Sequence, residues 1–145
     1  MPIKTFRGMI PLDTENTIPL STNNGATGYR IIKFQIMSNT PGEGNHELIG
    51  KIRSTPDPNI NAKVDFNDTA VLAACYHTDL GNLGTAATSD SIIIDSEVFN
   101  QDIYVQIADA TSATVPCNYY IELEQMDLNM DETTVATLKN IRNTQ

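Results

Sequence analysis

Residues 117–124 alternate Cys117, Tyr119, Ile121 and Leu123 with Asn118, Tyr120, Glu122 and Glu124, and this stretch constrains the fold more than any other. A repeat of this kind places the apolar set on one face of an extended strand and the polar set on the other. The chain must therefore build a core against one side of the strand and leave the other side to water. Residues 104–107, with Tyr104, Val105 and Ile107, read as its pairing partner just upstream.

Similar alternation recurs along the chain. Residues 3–10 predict a short strand bracketed by Pro2 and Pro11, suited to a sheet edge or an arm. Residues 12–28 are polar, with Pro19, Asn23, Asn24, Gly25 and Gly28, and read as a loop holding a brief strand near 17–20. In residues 29–37, Ile32, Phe34 and Ile36 alternate with Ile31, Lys33 and Gln35, a strong strand that ends at the turn-rich 38–44. A hairpin then leads to residues 47–53, where Leu48 and Ile52 oppose Lys51 and Arg53 until Pro56 and Pro58 intervene.

Ala62, Val64 and Phe66, alternating with Lys63 and Asp65, predict a further strand. Residues 70–77 are more continuously apolar and fit a central strand or a short helix, with the surrounding strands favouring the former. Residues 91–98 and 103–107 read as another strand pair, and 80–90 and 108–115 as loops.

After Met126 the pattern changes. Asn129 or Asp131 is placed to cap a helix, Asp131 and Glu132 fall in its first turn, and Lys139 and Arg142 fall in its last, an order that matches the helix dipole. Val135, Leu138 and Ile141 form a narrow apolar stripe on a segment too short to be stable alone in water. They are the candidate contact residues, either with a neighbouring protein or with the chain's own sandwich.

These elements predict an all-β fold: a two-sheet antiparallel β-sandwich, jelly-roll-like, of about eight strands with a short C-terminal α-helix. The 145 residues, 40% hydrophobic, suffice for one core. The chain divides into an N-terminal arm or loop region (1–27), the sandwich (28–128) and a helix with tail (129–145). No run is long and apolar enough for a signal peptide or membrane span.

Charge is unevenly spread. Residues 1–63 carry seven Lys/Arg against five Asp/Glu, residues 64–138 carry none against thirteen, and Lys139 and Arg142 follow, for a formal net charge of −9. Such a surface repels phosphate backbones, so direct nucleic-acid binding is not expected. Lys33, Lys51, Arg53 and Lys63 are expected on outward faces beside the late acidic strands, as cross-strand pairs.

Catalytic machinery is not legible. Neither a nucleophile with its base, a carboxylate pair nor a metal cluster stands out, and no enzyme activity, cofactor or metal site is predicted. Cys75 and Cys117 lie in apolar strand-like segments and read as small buried hydrophobes. Cys75 and His77 share a strand face, but no further ligand pair completes a zinc site. Asp65, Asn67 and Asp68, and Asp127, Asn129, Asp131 and Glu132, offer oxygen ligands of the kind calcium takes, yet turn and helix-cap chemistry explains both runs. A carbohydrate-binding sandwich is the other class weighed. It would need aromatic platforms in loops, and the chain has no Trp while most Tyr and Phe fall in strand phase.

Four phrases carry a resemblance: Gly-Tyr-Arg-Ile-Ile-Lys-Phe-Gln-Ile-Met at 28–37, Phe-Asn-Gln-Asp-Ile-Tyr-Val at 99–105, Asn-Tyr-Tyr-Ile-Glu-Leu-Glu at 118–124 and Thr-Val-Ala-Thr-Leu-Lys-Asn-Ile-Arg-Asn at 134–143. Together they resemble a family of small virion structural proteins of marine tailed bacteriophages. The resemblance implies a particle component made in the host cytoplasm, a capsid decoration protein or a tail or neck accessory. Its implied partners are the major capsid protein, other virion proteins or further copies of itself, and it brings no catalytic residues. Residues 1–27 fall outside it.

Overall fold

The computed structural model describes residues 2–41, 45–80, 88–94, 97–109 and 116–143. Eight strands and one helix follow in order: β1 (Ile3–Ile10), β2 (Thr14–Ile18), β3 (Thr27–Ser38), β4 (Asn45–Arg53), β5 (Val71–Leu80), β6 (Thr88–Ile93), β7 (Ile103–Asp109), β8 (Cys117–Asp127) and α1 (Met130–Asn143). They form two antiparallel sheets, ordered β1-β8-β3 and β2-β7-β4-β5-β6. The pairings β1 with β8, β2 with β7 and β4 with β5 are nested one inside the next, which is the jelly-roll arrangement. Where that arrangement calls for a further strand beside β3, Tyr29 and Phe99 exchange two backbone hydrogen bonds of 2.8 and 2.9 Å.

The core lies between the sheets, and each strand reaches it by its alternating set. Cys117, Tyr119, Ile121 and Leu123 of β8 point inward, as their spacing requires, against Phe34 and Ile36 of β3, Leu48 and Ile52 of β4, and Ile103, Val105 and Ile107 of β7. Residues 1–27, set apart from the sandwich in the sequence reading, supply an edge strand to each sheet. The brief strand expected near 17–20 runs instead over Thr14–Ile18.

Several expected connections are different. The partner predicted for residues 117–126 was 104–107, but β7 lies in the opposite sheet, so the two strands face each other across the core. Their inward faces are both fully buried, and this reads the same in sequence whether strands pair or oppose. The hairpin expected between β3 and β4 is likewise a crossover between sheets. Strand β6 pairs with β5, not with 103–107. The loops predicted at 80–90 and 108–115 lie largely outside the described residues.

The phase of β3 shifts along its length. A bulge between Ile31 and Lys33 leaves Tyr29 and Ile31 buried before it and Phe34 and Ile36 buried after it, so Ile32, expected on the core face, is exposed.

The strand predicted over 62–66 is a loop. Four Asx turns break it into short bends: the side chains of Asp57, Asn61, Asp65 and Asp68 accept from the backbone N–H groups of Asn59, Lys63, Asn67 and Ala70 at 2.9–3.0 Å. Each side-chain oxygen offers the backbone an alternative to a strand partner.

Candidate functional site

Helix α1 is held at its start by a capping box. The Glu132 N–H donates to Asn129 Oδ1 at 2.8 Å and the Asn129 N–H donates to Glu132 Oε1 at 3.1 Å, satisfying two backbone donors that the first turn leaves open. Of the two predicted caps, Asn129 is the one used. These bonds engage one oxygen each of Asn129 and Glu132, two of the four residues of the run considered above for calcium.

The helix docks on the sandwich by a face of small and polar side chains. Ala136 is 7% exposed. Asn100, fully buried, donates through Nδ2 to Gly25 O and to Thr137 Oγ1, both at 3.0 Å, and Asn140 Nδ2 donates to Ser54 O at 3.1 Å. Lys139 lies 3.5 Å from Glu97. Gly25, at φ 65°, sits under this face, where an added Cβ would come within 3.2 Å of Thr133 Cγ2. The positions 133, 136, 137 and 140 have helical spacing, so one stripe makes these contacts apart from the Lys139–Glu97 pair at its margin.

The predicted apolar stripe is on the other side. Val135, Leu138 and Ile141 are 55%, 54% and 54% exposed, and Met130 is more exposed still. Burial in the chain's own core is therefore not what the stripe is for. The stability of the helix comes from its cap and its polar docking. The side chain of Arg142 lies outside the described residues.

The basic residues expected on solvated faces divide into two groups. On the outer face of the three-stranded sheet, Arg30 lies 3.1 Å from Glu124, and Lys33, in register with Glu122, stands 5.9 Å from the centre of the Tyr120 ring. Both are cross-strand neighbours, as predicted for Lys33, and Arg30 adds a pair outside that prediction. Lys51 and Arg53, by contrast, are buried beneath residues 54–70, which cross the outer face of the five-stranded sheet. Lys51 Nζ donates to Lys63 O at 2.8 Å, and Arg53 donates to Thr55 O at 3.2 Å and to Asp68 Oδ2 at 2.6 Å. Gln106 Nε2 bonds Glu15 Oε2 at 2.6 Å and Asp57 O at 3.0 Å, so a buried amide also ties the loop down.

Burial lowers the Lys51 pKa, with the Arg53 charge adding to the effect. For Asp68, burial pushes the pKa up but is outweighed by the Arg53 hydrogen bond, the Ala70 N–H and the two nearby cations, so the net shift is downward. Asp102 behaves alike: burial raises its pKa, but the N–H groups of Ser21 and Leu20, 2.9 and 2.8 Å from Oδ1, together with the Ser21 side chain, outweigh burial and bring it below the ordinary value. A carboxylate whose folded pKa is depressed stabilises fully above its ordinary value of 3.8 and loses that contribution as pH falls through the folded value. Melting temperature should therefore fall as the pH drops below the ordinary carboxylate value of 3.8, and Asp68→Asn with Asp102→Asn should flatten that decline. An unchanged slope in the double variant would refute the assignment.

Both thiols are free and buried, with burial raising the Cys75 pKa and pushing Cys117 up to about 12. Thiols so far from ionisation are poor nucleophiles and poor metal ligands. Among the described residues, no group of three or more His, Cys, Asp and Glu is placed to hold a metal ion. No described helix is long and apolar enough to cross a membrane.

No family model matches the chain, and no curated protein matches it. Among solved structures, it is similar to a chain from the three-dimensional structure of Cocksfoot mottle virus, 7% identical, over 92% of this chain and 100% of that one, with a TM-score of 0.33. The jelly-roll assignment rests on the strand order and register given above.

Proposed function

We propose that the protein is a non-enzymatic structural component of a bacteriophage virion, most simply a capsid decoration protein that adds to the particle surface in many copies. The observation that carries the reading is the orientation of α1, which spends its polar face on the sandwich and turns Val135 and Leu138, with Ile141, outward. The four phrases resembling phage virion proteins support the same reading. Its partners are the major capsid protein, other virion proteins or neighbouring copies.

Such a stripe contributes on the order of 1–2 kcal/mol for each side chain it buries, which is weak for one site. Repetition on a particle compensates, because many modest contacts made together hold firmly.

The test uses particles of the encoding phage stripped of this protein, with purified protein added back. Leu138→Asp should keep the wild-type melting temperature, since Leu138 is exposed, and lose at least about tenfold in particle binding. Wild-type binding by this variant would sink the helix contact. Quantitative mass spectrometry of intact particles tests the rest: high copy number fits decoration, low copy number moves the protein to the tail or neck, and absence from particles removes the virion reading.

A further inference from the structure

The outer face of the five-stranded sheet carries a second surface, independent of the helix. Residues 54–70, pinned by Lys51, Arg53 and Gln106, bring Ala62, Val64 and Phe66 alongside Ile49, Ala74, Tyr76 and Ile92 of β4, β5 and β6. Together with Asp90 they line an open groove of about 330 Å³. Val64, Phe66, Tyr76 and Ile92 are all exposed there, a concentration of large apolar side chains that a solvated sheet face does not need.

The groove runs out to a strand edge. Strand β6 is last in its sheet, and the Ile94 N–H bonds Leu72 O at 2.9 Å, which sets the backbone phase. In an antiparallel ladder every second residue points its N–H and C=O to the same neighbour, so residues 92 and 90 face β5 while 89, 91 and 93 direct theirs away from the sheet. Ser89, Asp90 and Ser91 are exposed, and among the described residues no strand pairs with this edge.

We propose that the groove and the β6 edge together take an extended segment of a partner protein in which apolar residues alternate with Lys or Arg. The edge supplies main-chain hydrogen bonds and the groove receives alternate side chains, the usual logic of strand addition. Charge selects the partner. Asp90 is the one charged residue in the lining, and it stands on the strand with which the segment would pair. Edge-to-edge pairing of β6 with its own copy would offer Asp90 no cation, since β6 carries no Lys or Arg.

The test measures binding of a fluorescein-labelled peptide of about eight residues alternating Lys with Val and Ile, beside a version with Glu for Lys. The Lys peptide should bind and perturb the amide resonances of residues 89, 91 and 93. Asp90→Lys should weaken it at least about tenfold and admit the Glu peptide, while Asp131→Lys, on the helix, should leave it unchanged. Equal binding of both peptides to the wild type, equal loss in the two variants, or perturbations confined elsewhere would each overturn the proposal. Self-association of the unliganded protein through the same amides would also overturn it, by making a second copy the occupant.

Discussion

Ile121→Asp should leave the domain largely unfolded at room temperature, while Glu122→Ala, one residue along the same strand, should melt almost like the wild type. Ile121 is fully buried in β8, the central strand of its sheet, in register with Phe6 on one side and Phe34 on the other. A carboxylate there has no cation to meet and no water to reach. Desolvating it costs several kcal/mol even when the group protonates, and the lost isoleucine packing adds about 2–5 kcal/mol. Domains of this size are stable by about 5–15 kcal/mol in total. Glu122 faces outward, half-buried, and accepts a hydrogen bond from the Tyr120 hydroxyl at 3.0 Å, and loss of one such contact on an outer sheet face is worth about 0.5–1.5 kcal/mol. Urea unfolding followed by circular dichroism reads both. Equal effects would mean that the strand phase is wrong, and Ile121→Ala provides a folded intermediate case.

Gly50→Val should destabilise the domain by overpacking the inward face of the five-stranded sheet. Gly50 lies between Leu48 and Ile52 on the inward face of β4, and the Phe34 ring from the opposite sheet occupies the space a side chain would need. A Cβ at residue 50 would come within 2.9 Å of Phe34 Cζ and 3.0 Å of Ile36 Cγ2, and valine adds two more methyl groups. Neither sheet can give way, because Phe34 is itself fully buried. Overpacking on this scale costs about 1–3 kcal/mol or more. Phe34→Ala should cost about 3–5 kcal/mol through the cavity it leaves. The two changes should partly compensate when combined, since the valine fills space the ring vacates. A strictly additive double variant, measured by urea unfolding, would show that the two residues do not share this space.

The reach of the sequence is clearest strand by strand. In β8 every inward residue was legible, because one face is buried along an unbroken strand and a period of two admits a single phase. In β3 the same rule misplaced Ile32, because a bulge resets the phase and leaves no mark in a run of two isoleucines and a lysine. The strand predicted over 62–66 had the right alternation, and its three apolar residues do share a surface. Four Asx turns nevertheless won over a strand ladder, and only the surrounding chain determines whether such side chains find their own backbone.

By itself the sequence determined what depends on near neighbours: the β class, the inward set of β8, a C-terminal helix capped at Asn129 or Asp131, and the absence of positive charge from 64 to 138. It also marked Val135, Leu138 and Ile141 as an apolar stripe, since helical spacing is local. The tertiary structure alone decided which strands pair and which oppose, because buried strands look alike whether their neighbour lies beside them or across the core. It alone turned the stripe outward, through hydrogen bonds from Asn100 and Asn140 that join residues 37 and 86 positions apart. Such bonds depend on where the fold brings two distant groups, and no local pattern encodes that.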